Sequence, residues 1–261
     1  MFIGCHQSIC DGVDACIYNI IELGGNAIQI FLSPPHSAGT GKDLKDPVTT
    51  AQIIKNSGVF VVVHGKYILN FCRPDLKWQS DALEHDLRKA HQLGETIGVV
   101  IHQGKNVKKL DRITALENFV AGVKGVLDAT DDIKNPIILE NSCQQGNELG
   151  YTLEELSQIW NLFPKKYHKR LGFCLDTCHI YVAGTLQMND NADVDSFFHK
   201  FDELIGLSHL HVIHFNDSKT AFDGHNDHHN DLLHGYIGNV ELGGSPVGLQ
   251  RIVAWAKKLD V

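Results

Sequence analysis

The chain has 261 residues, 43% hydrophobic and 21% charged, with a formal net charge of −8. That is enough for a single globular domain over residues 1–261 with a sizeable core, and the acidic balance argues against non-specific nucleic-acid binding. No apolar run is long enough to span a bilayer, and Met1 opens into Phe2-Ile-Gly-Cys5 without a basic and apolar leader. An intracellular location, cytoplasmic or nuclear, is therefore expected, with no membrane partner. Seven cysteines without a Cys-x-x-Cys pair read as reduced and mostly buried thiols, Cys174 and Cys178 included.

In chain order, Phe2–Cys5 reads as a first strand leading into His6-Gln-Ser8. Helical spacing follows at Val13, Cys16, Ile17, Ile20 and Ile21, closed by Gly24-Gly25. Asn26–Phe31 is a second strand, then a Pro-Pro-His-Ser loop and a helix over Thr49–Asn56. Strands expected at Val59–Val63, Gly98–Ile101, Ile137–Leu139, Leu171–Leu175 and Leu210–Ile213 alternate with helices expected over Trp78–Leu93, Asp111–Leu127, Thr152–Leu162 and Val194–Leu204. Thr152 and Glu155 form a capping box. Asp217–Gly244 reads as one long polar loop, and Pro246–Leu259 as a last helix. This alternation predicts parallel βαβ units. The expected fold is an α/β (β/α)₈ barrel that lacks, or is truncated at, its eighth strand, since the residues end where that strand would begin.

Five of the apolar runs stop at a metal-ligand residue: His64, His102, Glu140, Asp176 and His214, with His179 three positions after Asp176. In a barrel, strand C-terminal ends converge on one face. An open doubly wound sheet would gather ligands at one crevice instead. Each histidine alone is more often a satisfied structural residue. Glu140 and Asp176 differ, because a carboxylate at the end of an apolar strand is costly to bury without a cation or donors. In His225-Asn-Asp-His-His229, Asp227 and His229 alternate, so an extended segment points both the same way. The set holds too many nitrogen and oxygen ligands for one metal and suits catalytic Zn²⁺ or Mn²⁺.

Several motifs together resemble the endonuclease IV family of apurinic/apyrimidinic (AP) endonucleases, part of the xylose-isomerase-like barrel superfamily. They are Gly4-Cys-His-Gln-Ser8, Glu140-Asn-Ser-Cys-Gln-Gln-Gly146, Gly172-Phe-Cys-Leu-Asp-Thr-Cys-His179 with Ala183-Gly184, His214-Phe-Asn-Asp-Ser-Lys219 and Asp227-His-His229. The resemblance implies a trinuclear zinc site. His64, His102 and Glu140 would hold one ion. Glu140, Asp176 and His214, the candidate catalytic residues, would hold the second, and His179, Asp227 and His229 the third. It implies DNA repair by hydrolysis of the phosphodiester 5′ to an abasic site, leaving a 3′-hydroxyl and a 5′-deoxyribose phosphate, on a bent duplex with the abasic sugar flipped out.

By the same resemblance Tyr67 and Ile68 would wedge into the duplex. Lys66, Lys105, Lys108, Lys109 and Lys219 would meet phosphates, although a solvated face also accounts for Lys105–Lys109. His36 stands where the family usually carries a basic residue. The family's ninth ligand, a glutamate at the end of the eighth strand, has no counterpart here, and Glu241 is a conceivable substitute. A monomer acting on damaged double-stranded DNA is expected. A sugar isomerase or epimerase of the same superfamily, or a non-cleaving abasic-DNA-binding protein, are the alternatives.

Overall fold

The computed structural model describes residues 1–94 and 97–261. Seven parallel strands follow one another in sequence order around a lumen: β1 (Gly4–His6), β2 (Ala27–Ile30), β3 (Phe60–His64), β4 (Val99–His102), β5 (Ile137–Glu140), β6 (Leu171–Asp176) and β7 (Leu210–His214). The connecting helices are α1 (Val13–Glu22), α2 (Pro47–Ser57), α3 (Trp78–Leu93), α4 (Arg112–Ala129), α5 (Leu153–Leu162), α6 (Thr177–Val182), α7 (Asn191–Leu204) and α8 (Pro246–Leu259). The architecture is thus the expected barrel, and β1 and β7 remain unpaired with each other. No helix among the described residues is long and apolar enough to cross a membrane.

Strand alternation divides the apolar residues into two layers. Val61, Val63, Val99, Ile101, Ile137 and Leu139 pack outward on the helices, within the main core. Val62, Val100, Ile138 and Cys174 form a small second core in the lumen, with Phe60 and Val212 against it. Side chains two positions apart share a face. His64, His102, Glu140, Asp176 and His214 stand two residues beyond Val62, Val100, Ile138, Cys174 and Val212. The lumen core therefore aims all five at the same space.

The register adds a stagger. His102 is level with Glu140, and Asp176 with His214. His64, however, pairs with Val100, and Glu140 with Cys174. These steps are the shear that winds a sheet into a barrel, and they spread the strand-end side chains over two heights.

Helix boundaries follow the caps. Asp46, Asp111, Thr152, Asp190 and Ser245 each accept a backbone N–H at the start of α2, α4, α5, α7 and α8. Asp46 with Pro47, and Asp190, start their helices before the positions read from apolar spacing. The first strand lies later than expected, at Gly4–His6, and is exposed along its length. α6 was not expected. Its six residues are all buried, so no amphipathic period marks it. The Asp217–Gly244 segment is not plain loop: β8 (Asp217–Ser218) pairs antiparallel with β9 (His229–Asn230).

Candidate metal centre

Glu140 is only 1% exposed and sits at the middle of the strand-end cluster. Its Oε2 lies 3.3 Å from His64 Nε2 and 3.6 Å from His102 Nε2. Its Oε1 lies 2.8 Å from His214 Nδ1 and 3.6 Å from His179 Nδ1. Asp176, fully buried, places Oδ2 3.6 Å from His229 Nε2 and 3.9 Å from His214 Nδ1. Asp227 bridges His179 Nε2 at 3.2 Å and His229 Nε2 at 2.9 Å. All eight ligand candidates read from the sequence thus lie in one connected cluster, and their donor atoms fall into groups within 4.8 Å of one another.

Local structure explains the placement. Asp176 caps α6 by accepting the His179 N–H at 3.0 Å, which turns His179 back over the strand end. Asn141 Oδ1 accepts the Asp176 N–H at 2.7 Å, and Asn216 Nδ2 donates to Asp176 Oδ2 at 2.7 Å. The Asp217 carboxylate accepts the N–H groups of Ser218, Leu233, Ile237 and Gly238 at 2.7, 3.0, 2.9 and 3.1 Å. That anchor folds residues 217–238 into the ribbon that returns Asp227 and His229 to the cluster.

The donor chemistry fits divalent cations. His64 Nδ1 donates to the Gly65 carbonyl at 2.7 Å, and His179 Nδ1 to the Asn141 carbonyl at 2.8 Å. In each neutral ring the proton is therefore on Nδ1, and the Nε2 lone pair faces a carboxylate oxygen. Lone pair against lone pair is repulsive unless a cation or a second proton intervenes. Glu140 Oε2 and His179 Nε2 are buried and without a hydrogen-bond partner, which leaves both atoms free to ligate a cation.

The electrostatics agree. Burial alone would raise Glu140, but His214, His102 and His64 outweigh it and hold the carboxyl well below its ordinary range. Asp227 is likewise held low against burial by His179 and His229. Burial would lower His179, but Asp176, Asp227 and Glu140 carry it well above the ordinary value, so these carboxylates call for a positive charge that either a second proton or a cation supplies. Burial pushes His102 down to about 4, which leaves a neutral imidazole suited to ligation.

Three neighbours were not read from the sequence as part of the cluster. Gln29 lies on the lumen face of β2 beside Val62, and its Oε1 is 2.7 Å from His214 Nε2. Cys174 and Cys178, taken only as buried thiols, also group with candidate ligands, Cys174 with Glu140 and His214 and Cys178 with Asp227 and His229. All seven cysteines are free, with Cys5 and Cys10 exposed. Glu241, the conceivable ninth ligand, is exposed in a short turn after Asn239 and joins none of the groups.

At the rim, Tyr67 is 47% exposed. Its ring lies 5.0 Å from His64 and 5.2 Å from His36, and Ile68 beside it is half-buried. His36 and Lys219 are exposed. Lys105 pairs with Glu148 at 3.2 Å and Lys108 with Asp75 at 3.1 Å. Lys66 corrects the sequence reading. It is 2% exposed, and its Nζ donates to the carbonyls of Pro34 at 2.9 Å and Gly39 at 2.7 Å, so it points into the protein and not toward a phosphate.

The wound parallel sheet with imidazoles and carboxylates at its strand ends defines a xylose isomerase-like TIM barrel, and the model of that family matches residues 17–243. The putative endonuclease 4 of Acanthamoeba polyphaga mimivirus is 34% identical over 268 aligned positions, covering 99% of this chain and 83% of that protein. The probable endonuclease 4 of Alkaliphilus oremlandii is 32% identical, covering 90% and 83%. The crystal structure of endonuclease IV from Thermus thermophilus superposes with a TM-score of 0.79 at 26% identity, covering 97% of this chain and 87% of that one. The chain belongs to the endonuclease IV family. A D-tagatose 3-epimerase-like protein shares the fold alone, with a TM-score of 0.66 at 18% identity.

Proposed function

We propose that this chain is a zinc-dependent AP endonuclease that hydrolyses the phosphodiester 5′ to an abasic site in duplex DNA. The observation that carries the metal part is the convergence of His64 Nε2 and His102 Nε2 on an unpartnered, buried Glu140 Oε2. His64, His102 and Glu140 would hold one ion, Glu140, Asp176 and His214 a second, and His179, Asp227 and His229 a third. When bound, such ions supply Lewis-acid stabilisation of the developing charge and a water nucleophile at neutral pH. The protein's own part is positioning. Gly65, Asn141 and Asn216 fix the ligating side chains, and the lumen core holds Glu140 between four imidazoles. At the rim, Tyr67 offers an aromatic face to a base stack interrupted by a missing base, and Lys219 offers a cation to the backbone. This rim favours DNA over a small sugar, which needs no exposed aromatic beside the metals.

A duplex with one abasic site tests the reading, beside an undamaged duplex and a chelator-treated sample. Nicking confined to the abasic strand, leaving a 3′-hydroxyl and lost on chelation, is the expected result. About three zinc ions per chain by metal analysis would accompany it. One or two ions with sugar epimerisation and no nicking would overturn it. Binding of abasic duplex by the zinc-loaded protein without nicking would leave the chain a damage-binding protein.

A further inference from the structure

Two buried lysines lie under the loop between β2 and α2. Besides Lys66, Lys89 on α3 is 3% exposed, and its Nζ donates to the carbonyls of Gly41, at 2.9 Å, and Lys42. Asp86, one turn earlier on the same helix, is also buried and accepts the Ser33 hydroxyl at 2.5 Å. Ser33 Oγ in turn accepts the Gly41 N–H at 3.1 Å. The loop's two ends are thereby closed on each other, and a Cβ at Gly41 would lie 2.1 Å from the Leu32 carbonyl oxygen. Burial pulls both ammonium groups down and pushes Asp86 up, so the three are retained against a desolvation cost. Four backbone carbonyls of a polar, glycine-containing segment find charged donors here, where water would otherwise serve them.

The loop held this way carries His36 against Tyr67, and the Pro35 carbonyl accepts the Tyr67 N–H at 3.1 Å. Tyr67 in turn touches the rings of His64 and His102 at 5.0 and 6.1 Å. An aromatic shelf thus runs from the metal ligands to the loop tip, and its outer half rests on Lys66 and Lys89. We propose that Lys66 and Lys89, with Asp86 and Ser33, are positioning residues that pre-form the 33–42 loop as a wall of the groove for the abasic strand. This rests on the reading of the chain as an AP endonuclease. Pre-forming a binding wall removes the ordering cost that a free loop would impose at each encounter.

The test compares Lys66→Met and Lys89→Met, which keep the apolar stem and remove the donors, with the unaltered chain. Hydrogen exchange of the amides of residues 36–42 and of Tyr67, measured on the free protein, is expected to accelerate at least about tenfold in both variants while the strand amides hold. The KM for abasic duplex is expected to rise about tenfold with kcat within about twofold, the pattern of lost uniform binding. The slope of log affinity against log salt should not change. A slope reduced by about one in Lys66→Met would mean a direct phosphate contact and would overturn the proposal. So would unchanged loop exchange in either variant. Lys89 lies on α3 and is not a sequence neighbour of Tyr67, so Lys89→Met decides the matter even if Lys66→Met does not fold. If the unaltered chain neither binds nor cuts abasic duplex, the proposed function fails, and the exchange comparison still decides whether the lysines hold the loop.

Discussion

Four imidazoles approach the Glu140 carboxylate at 2.8 to 3.6 Å, so its charge is shared by two of the proposed ion sites. Glu140→Gln keeps the size and one oxygen but removes the charge. Metal affinity is expected to fall by more than about a hundredfold, beyond the loss usual for an outer-shell partner. Competition with a zinc indicator reads this directly, and unchanged affinity would place the ions elsewhere. At this scale the clustering of the strand-end imidazoles and carboxylates was legible because each terminates an apolar run, and the same alternation that buries Val100 and Ile138 aims His102 and Glu140. Gln29 was not legible, since an amide inside a short strand carries no ligand signal. Lys66 was misread for a physical reason. Next to Tyr67 in sequence it looks like part of a basic rim, and only the loop folded over it shows which way the ammonium points.

The element most dependent on one side chain is the ribbon of β8 and β9. The Asp217 carboxylate satisfies four backbone N–H groups that are otherwise inside the fold. Asp217→Asn leaves one oxygen and places an amide donor against two of them. The expected loss is about 2–4 kcal/mol in urea unfolding, together with the ion that His179, Asp227 and His229 are proposed to hold. Gly235→Ala should act the same way, because a Cβ there would lie 2.3 Å from the Ser218 carbonyl oxygen and 2.4 Å from Asp217 Oδ1. A variant with full stability and full metal content would show that the ribbon is held by something else. The sequence showed this stretch as a polar loop with an extended piece at Asp227–His229, but not the partner strand or the anchor. Its order comes from a carboxylate reaching backbone groups up to 21 residues away, which neither periodicity nor turn chemistry encodes.

For the whole molecule, pH dependence on the alkaline side follows from the thiols. Burial pushes Cys72 and Cys143 up to about 12, and Cys174 and Cys178 up to about 11, from an ordinary value of 9.0. A group raised on folding stabilises fully below its unfolded value, and that contribution is lost as pH rises toward the folded one. Stability should therefore decline from about pH 9 upward, by about 1.4 kcal/mol per thiol for each pH unit. Urea midpoints at pH 8 and pH 10 measure it, and Cys72→Val should flatten the decline by about one proton. A pH-independent midpoint would mean that the thiols ionise freely in the native state. The barrel itself was legible from the alternation of strands and helices, whereas the stagger that sets the heights of the strand-end side chains arises only when the strands are paired.

The cavity around the ligand candidates also has a kinetic consequence. It holds about 970 Å³ and is lined by His64, His102, Glu140, His179 and His214 and also by Tyr67. The cluster and the aromatic rim where a duplex is proposed to sit thus open on one shared space. A bound duplex would stand over it. Saturating abasic DNA should then slow metal stripping by a small chelator, and an unchanged stripping rate would mean that the ions are reached by another route.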